Sequence, residues 1–358
     1  MNKTGVELMM QKILGQLVAQ NGQEIYIISG QKPMMRKFGY LLETEISDII
    51  TEDSIKNIVD IVLSDEEVQF LNKHKNITVV REIGSIGRFR VRCYFQRKSL
   101  SVVFRNISNA IPKFDNLILP ESVKKIPHLN EGLVVVSGPY DSGKSTLIAS
   151  ILQYILDNKK VRVMTIEKPL EYILIGGKGL AEQREVGVDV SSFEEGLDML
   201  FEDDVDVVYV SDISSADTLS RIISLSSMKL VFLHITSDST VEALESMISL
   251  AEEFGKYKSF SHKLSKHLSV CLNLRLPPTV GRTGRIYAFE ILINTSPVKI
   301  ALKDREFDRI ENILQLSSKE GMKTLDQHLF ELVQDGKVDK RDAAIYFNNP
   351  DKFKSLIA

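Results

Sequence analysis

The sequence has little of several features that would assign it quickly to a class. Its two cysteines, Cys93 and Cys271, lie far apart and form no C-x-x-C pair, which excludes a recognisable zinc or redox motif and indicates a reducing compartment. It has no apolar run of about 18 residues, and Glu7 and Lys12 interrupt the apolar N-terminal stretch, so neither a membrane span nor a signal peptide is expected. A formal charge of -3 argues against bulk attraction to nucleic acid or anionic lipid. These absences predict a cytoplasmic protein that meets a membrane only through partners.

What is present is the composition of a globular protein, with 358 residues, 43% of them apolar and 26% charged, which suits two domains. Residues 1–105 mix helical and strand patterns and predict an α+β domain. Residues 106–122 contain proline and asparagine signals typical of a linker. Residues 123–358 alternate strands with helices and become helical from about residue 296. Because such alternation is typical of a mostly parallel sheet covered on both faces, the expected fold class is α/β.

Local signals also define where individual helices begin. Apolar residues recur at helical spacing near the N-terminus and predict an amphipathic first helix. Ser64 with Glu67, and Thr324 with Gln327, have the spacing of capping boxes and predict two further helix starts.

The strongest motif runs from Gly138 to Ser145 and matches the phosphate-binding loop pattern G-x-x-x-x-G-K-[ST] without a gap. The glycines let the backbone curl around phosphates, Lys144 meets the β and γ oxygens, and the Ser145 hydroxyl ligates Mg²⁺. An apolar strand pattern precedes the motif and an apolar helical pattern follows it, which is the context that the motif requires. ATP and Mg²⁺ are therefore the expected cofactors. The predicted nucleotide-binding residues in this loop are Gly138, Pro139, Tyr140, Asp141, Ser142, Gly143, Lys144, Ser145 and Thr146.

Five further segments stand in a fixed order along the chain: Gly87–Val91, Thr165–Tyr172, Glu182–Gly187, Leu230–His234 and Gly321–Asp326. Together they resemble the type II/type IV secretion ATPases, and most closely the twitching-motility, PilT-type branch that retracts pili. Glu167 and Glu171 lie in the segment that resembles the family's acidic box. The resemblance covers nearly the whole chain.

This resemblance implies a hexameric motor in which a PAS-like N-terminal domain sits over a RecA-like ATPase domain, with nucleotide between them. It implies partners as well, namely an inner-membrane platform protein of the pilus and a paralogous pilus ATPase, and a place at the inner face of the cytoplasmic membrane. Carried over by position, Glu171 would polarise the attacking water with Glu167 beside it in the acidic box, and His234 would lie near the γ-phosphate. The plainer alternatives are a surface glutamate for Glu171 and a hydrogen-bonded core histidine for His234.

Arginines in the first domain are further candidates. Arg88, Arg90 and Arg92 alternate with apolar residues along one predicted strand and so share a face. Family members use first-domain arginines to reach bound phosphates, and Arg90 and Arg105 match those positions best, with Arg97 a lesser candidate. The alternative is a solvated basic strand paired with glutamates.

The chain also departs from the family. The segment Asp206–Ser215 stands in place of the Walker B box and keeps one acid, Asp212, where glutamate is usual and where Mg²⁺ would be reached through water. Lys168 replaces an acidic-box aspartate. Asp141 replaces a loop glycine and would repel phosphates if it pointed inward.

Acids also stand where the family has arginines on the helix before the Walker B strand, at Asp198 and Glu202. The departures leave open a slow motor ATPase and a nucleotide-binding pseudo-ATPase that assists an active paralogue. A nucleic-acid translocase is a third reading, against which the net charge and the family resemblance weigh.

Overall fold

A computed structural model of the chain describes residues 3–38, 40–107, 110–252 and 259–348. Contacts divide the chain into two units, Met1–Ala110 and Ile111–Ala358, and each is built on its own β-sheet. Residues 108–109 of the predicted linker and residues 349–358 of the predicted C-terminal helical segment lie outside the described residues. No helix among the described residues is both long and apolar enough to cross a membrane.

The first unit is an antiparallel sheet with helices packed on its apolar face. Its six strands are β1 (Glu24–Ile28), β2 (Met34–Lys37), β3 (Tyr40–Glu43), β4 (Asn76–Ile83), β5 (Gly87–Gln96) and β6 (Ser99–Ile107), in the order β3-β2-β1-β6-β5-β4. Its helices are α1 (Lys3–Ala19), α2 (Glu52–Val62) and α3 (Asp65–His74). The capping box that opens α3 is formed by Ser64 and Glu67, as predicted.

The alternation along β5 places two chemistries on opposite faces of the first sheet. Phe89, Val91 and Cys93 are fully buried in the core of the unit. Arg90 is half-buried and Arg92 is exposed, so the predicted arginine face is confirmed. Because successive side chains of a strand point to opposite faces, the apolar core itself holds these arginines outward.

The second unit is a mostly parallel sheet covered by helices on both faces. Its seven strands are β7 (Gly132–Ser137), β8 (Arg162–Glu167), β9 (Leu180–Glu185), β10 (Val207–Val210), β11 (Leu230–Ile235), β12 (Leu268–Arg275) and β13 (Ala288–Ile293), in the order β13-β12-β7-β11-β10-β8-β9. Only the β12–β13 pair among them is antiparallel. The described helices are α4 (Glu121–Lys124), α5 (Lys144–Asn158), α6 (Phe193–Met199), α7 (Ala216–Leu225), α8 (Thr240–Glu252), α9 (Phe260–His267), α10 (Ser296–Asp304), α11 (Phe307–Leu316), α12 (Leu325–Gln334) and α13 (Lys340–Ala344).

Strand β7 contributes side chains to two hydrophobic cores, one on each face of the sheet. Every residue of β7 is buried. Val134 and Val136 pack into the core beneath α5, whereas Leu133 and Val135 pack into the core on the opposite face. A strand buried on both faces reads as a continuous apolar run, which explains why the sequence signal here is strong. The mixed α/β class predicted for the chain is confirmed.

Two elements differ in how well sequence reveals them. The capping box of Thr324 and Gln327 forms and opens α12 as predicted. By contrast, β9 was not predicted as a strand, because its sequence LAEQRE is polar and lacks an apolar alternation. It is a strand because its backbone pairs with β8 at the edge of the sheet.

The central strands should carry much of the stability of the second unit. Phe232 of β11 is fully buried in the core beneath α5. We expect Phe232→Ala to lower the free energy of unfolding by about 3–5 kcal/mol, through lost burial and a residual cavity. Leu316→Ala is the control, because Leu316 is 85% exposed, and it should change stability by less than about 0.5 kcal/mol. Urea denaturation measures both, and equal effects would contradict the assigned core.

Candidate nucleotide-binding site

The phosphate loop connects β7 to α5 through two glycines that no other residue could replace without strain. Gly138 has φ of 147° and Gly143 has φ of 85°. A Cβ on Gly138 would lie 2.7 Å from the Leu274 carbonyl oxygen, and one on Gly143 would lie 2.8 Å from the Tyr287 ring. Such distances are far inside van der Waals contact, so both positions need glycine's conformational freedom. The loop is therefore held tightly against β12 and Tyr287.

Polar groups of this loop point into the cradle that it forms. The Lys144 side chain is buried, and its Nζ donates to the carbonyl oxygens of Gly138 at 2.9 Å and Pro139 at 2.7 Å. The Ser142 hydroxyl is buried and has no hydrogen-bond partner among the described residues. A buried hydroxyl without a hydrogen-bond partner is unusual because it costs free energy of folding. It is consistent with a loop whose hydrogen-bond donors bind an anion. The residues present therefore fit a phosphate group.

The unusual Asp141 of this loop is neutralised by a partner. It adopts a left-handed conformation, with φ of 64°. Its Oδ2 accepts a hydrogen bond from Arg285 Nη1 at 2.7 Å. Because an ion pair offsets its charge, the repulsion that an unpaired carboxylate would exert on phosphates is reduced. Tyr140, its neighbour in the loop, is exposed.

Glu167 ends β8 as a buried carboxylate. Its Oε1 accepts hydrogen bonds from Thr165 Oγ1 at 2.6 Å and Gln183 Nε2 at 3.2 Å, and its carboxylate also accepts from the backbone N–H of Glu171. Burial raises the pKa of Glu167 to about 7, and the nearby charge of Glu171 adds to the effect while the hydrogen bonds oppose it. This carboxyl group is thus poised to change its protonation state near neutral pH.

The acidic segment that follows β8, residues 168–174, is held by hydrogen bonds at Tyr172 and Leu174. Tyr172 shares a 2.7 Å hydrogen bond between its hydroxyl and Thr146 Oγ1, which joins the segment to the first turn of α5. Gln183 of β9 donates to the Tyr172 carbonyl oxygen at 2.9 Å and accepts from the Leu174 N–H at 2.7 Å. Glu171, which directly precedes Tyr172, is half-buried. The individual roles of Tyr172 and Gln183 were missed from the sequence, although both lie in segments that resemble the family.

A tyrosine on β10 reaches the same place from the neighbouring strand. Tyr209 is buried, and its hydroxyl lies 3.5 Å from Nδ1 of His234 on β11. Ser145 lines the same small cavity as Tyr209, close enough for its hydroxyl to influence the phenol. Burial raises the pKa of Tyr209, and the charges of Glu167 and Glu171 raise it further. Sequence reasoning missed Tyr209, although it is the one hydroxyl in a strand that is otherwise valine.

These side chains surround a small cavity of about 10 Å³ under the first turn of α5. Its lining is Ser145, Ala149, Leu152, Glu167, Tyr172, Leu174, Gln183 and Tyr209. This volume is close to the least that holds one water molecule, and several of the lining groups are polar. No group of three or more His, Cys, Asp or Glu side chains among the described residues could hold a metal ion alone. Mg²⁺, which prefers oxygen ligands and keeps several waters, would suit Ser145 together with nucleotide phosphates.

Asp212 lies further out than the other predicted acids. Its side chain is exposed, and its Oδ1 accepts the N–H of Ile213 at 2.8 Å. The next residues are tied elsewhere, since Ser214 and Ser215 donate to Glu194 Oε1 at 3.1 and 2.6 Å. Burial raises the pKa of Glu194, but hydrogen bonds from Ser215 and Thr218 outweigh it and lower the pKa to about 2. The structure thus brings Lys144, Ser145, Glu167, Glu171 and His234 to one edge of the sheet and leaves Asp212 at its rim.

In the first unit, two of the three candidate arginines are neighbours. Arg90 of β5 lies directly opposite Arg105 of β6 in the ladder. Like charges directly opposite each other destabilise a sheet. The Glu24 carboxylate, 3.9 Å from Arg105 Nη1, offsets part of this repulsion. Arg97 has φ of 47° and lies in the β5–β6 turn. It is seven residues beyond Arg90, a distance of about 23 Å along an extended strand. Arg90 and Arg105 form a pair, and Arg97 does not belong to it.

A glycine-rich loop between a buried parallel strand and a helix, with acids and a histidine at neighbouring strand ends, defines a P-loop nucleotide-binding protein. The sequence matches the family described as type II/IV secretion system protein over residues 96–337. The chain belongs to this family.

Relatives support the same placement. The chain is 28% identical to the type IV pilus ATPase PilU of Pseudomonas aeruginosa, over 97% of this chain and 91% of PilU. It is 27% identical to the type IV pilus retraction ATPase PilT of the same organism, over 93% of this chain and 96% of PilT. A crystal structure of the pilus retraction motor PilT with bound ADP matches with a TM-score of 0.79 at 27% identity, covering 98% of each chain. The predicted resemblance is confirmed.

The raised pKa of Glu167 makes stability depend on pH. The folded state keeps a proton on this group up to about pH 7, whereas its ordinary pKa is 4.5. This proton stabilises the folded state by roughly 3 kcal/mol in all. The full stabilisation is present below the ordinary pKa of 4.5 and is lost as the pH rises through the folded-state pKa of about 7. Glu167→Gln cannot titrate. Its free energy of unfolding relative to the native protein should therefore rise by about that amount between those limits.

Urea denaturation across this pH range, without nucleotide and with EDTA, measures the difference. Glu202→Gln, at an exposed carboxylate, should follow the native profile. Parallel profiles for native protein and Glu167→Gln would show that Glu167 does not hold its proton.

Proposed function

We propose that this protein is an ATP-binding motor ATPase of the type IV pilus class, which works as a hexamer and drives pilus retraction by ATP hydrolysis. The observation that carries this proposal is the polar end of the second sheet. There the acidic residues Glu167 and Glu171 lie near Lys144 and Ser145 of the phosphate loop. Similarity to PilU and PilT over almost the full length of those proteins supports the mechanical output.

The residues divide the work as phosphoryl transfer requires. Backbone N–H groups of the loop and the Lys144 ammonium would bind the β and γ phosphates, and the Ser145 hydroxyl would ligate Mg²⁺, which neutralises charge on the phosphate oxygens. Glu171, half-buried and next to the loop, would accept hydrogen bonds from the attacking water. Glu167 already accepts three hydrogen bonds, so it would mainly position the Glu171 segment through its bond to the Glu171 N–H. His234 would interact near the γ-phosphate.

The proposal extends to partners. We expect the hexamer to act at the inner face of the cytoplasmic membrane on an inner-membrane platform protein, beside a paralogous pilus ATPase. Arg90 and Arg105 would supply phosphate contacts from the first unit, and their direct opposition on the sheet is relieved if an anion lies between them. A hexamer would sediment as a particle six times the 40.4 kDa mass of the chain, and a monomer at all concentrations and with ATP present would contradict this part.

A pseudo-ATPase that binds nucleotide without hydrolysing it is the second candidate. The specific observation in its favour is Asp212, whose carboxylate is shorter than the glutamate usual in the family and is exposed. Misplacement of a catalytic group by about 1 Å can cost about 100-fold in rate. In that case the protein would assist an active paralogue as a structural or regulatory subunit.

Binding and steady-state hydrolysis at saturating MgATP separate the two candidates. For the motor, we expect Lys144→Ala to lose ATP affinity and Glu171→Gln to keep it while turnover falls about 100-fold or more, because only the latter removes general-base assistance alone. Lys160→Ala is the control, because Lys160 is exposed and lies beyond the far end of α5, and it should match the native protein. Tight ATP binding without phosphate release would support the pseudo-ATPase, and absence of nucleotide binding would overturn both.

A further inference from the structure

Tyr209 is the one polar side chain in a strand built for burial. The other three residues of β10 are valines, and all four residues are buried. A buried tyrosine normally needs a partner for its hydroxyl, because an unpaired polar group in the interior costs about 1–3 kcal/mol. Phenylalanine would pack in β10 as well as tyrosine does, so the hydroxyl adds nothing to the packing of the strand. The contacts of the Tyr209 hydroxyl indicate another use.

The phenol oxygen has two polar neighbours, Ser145 and His234. Ser145, in the first turn of α5, lines the same cavity of about 10 Å³ as Tyr209. Nδ1 of His234, on the adjacent strand β11, lies 3.5 Å from the phenol oxygen. A phenol can accept one hydrogen bond and donate one, so it can serve both neighbours at once.

The direction of a hydrogen bond between Ser145 and Tyr209 would decide what the serine can do. A serine hydroxyl has one proton to donate and two lone pairs to offer. If the Ser145 proton is given to the Tyr209 oxygen, both lone pairs stay available to the phosphate cradle. Glu167 Oε1 already accepts from Thr165 and Gln183, and Asp212 is exposed at the rim. Tyr209 is a buried acceptor that lines the same cavity as Ser145.

We infer that Tyr209 is a positioning residue, which accepts the Ser145 proton and donates its own to His234 Nδ1, so that the Ser145 oxygen faces the Mg²⁺ of a bound nucleotide. This inference rests on the proposed nucleotide-binding function and names a residue outside the motifs that define it. Groups that orient a metal ligand commonly contribute 10- to 100-fold to metal affinity. The hydroxyl of Tyr209 acts through Ser145 and touches neither phosphate nor metal.

The inference is tested by titrating ADP into the protein calorimetrically, once with excess Mg²⁺ and once with EDTA. The ratio of the two affinities is the Mg²⁺-dependent increment. We expect Tyr209→Phe to reduce this increment about 10-fold or more, while the affinity for ADP in EDTA stays within about 2-fold of the native value. The aromatic ring is kept, so thermal denaturation should show a folded protein. A purely structural role would lower both affinities together.

Two further variants sharpen the result. Tyr154→Phe is the matched control, because Tyr154 lies on α5 and packs its ring against Phe114 at a centroid distance of 5.0 Å, and it should leave both affinities unchanged. Ser145→Ala should abolish the increment, and adding Tyr209→Phe to it should cost nothing more, because the tyrosine acts only through the serine.

The outcomes separate this inference from the function on which it rests. If the native protein binds no ADP under either condition, the proposed function fails. If the native protein shows a Mg²⁺-dependent increment that Tyr209→Phe retains in full, the inference is overturned and the nucleotide-binding function stands.

Discussion

The parallel pairing of β7, β11, β10 and β8 is the constraint on which the candidate site depends. Parallel strands end at a common edge, so residues that follow different strands meet there although they are far apart in sequence. Register places Ser137, at the end of β7, directly beside Ile235 of β11. Val210, the last residue of β10, is paired with Leu233 on one side and Ile166 on the other. The phosphate loop, His234 and the acidic segment therefore have a fixed spacing before any ligand binds.

Burial of charge at this edge is tolerated because each charged group has partners. Lys144 donates to two loop carbonyls, Glu167 accepts three hydrogen bonds, and Asp141 is paired with Arg285. An uncompensated buried charge would cost several kcal/mol, and the raised pKa of Glu167 shows that its partners compensate only part of that cost. Glu167 therefore holds a proton up to about pH 7 rather than remaining a buried charge.

The sequence predicts those features that are encoded in contiguous residues. The phosphate loop, the Ser64 and Thr324 capping boxes and the arginine face of β5 are all local patterns, and the structure has each of them. Contacts between distant residues are different. Asp141 and Arg285 are 144 positions apart, and nothing in either local sequence announces their ion pair. Strand β9 and the bridging role of Gln183 likewise arise from pairing with β8, and the meeting of Tyr209 with His234 depends on the neighbouring placement of β10 and β11.

Two of the departures from the family that lie outside the phosphate loop have partners within the second unit. Asp198 of α6, where the family would have an arginine, is held by Arg221 of α7 through contacts of 2.5 and 3.0 Å. Ser214 and Ser215, in place of the last Walker B residues, are held by Glu194. An exposed ion pair such as Asp198–Arg221 contributes at most about 1 kcal/mol to stability, so its main structural effect is to join α6 to α7. Asp198, Ser214 and Ser215 therefore lie outside the phosphate loop and are satisfied by partners within the second unit.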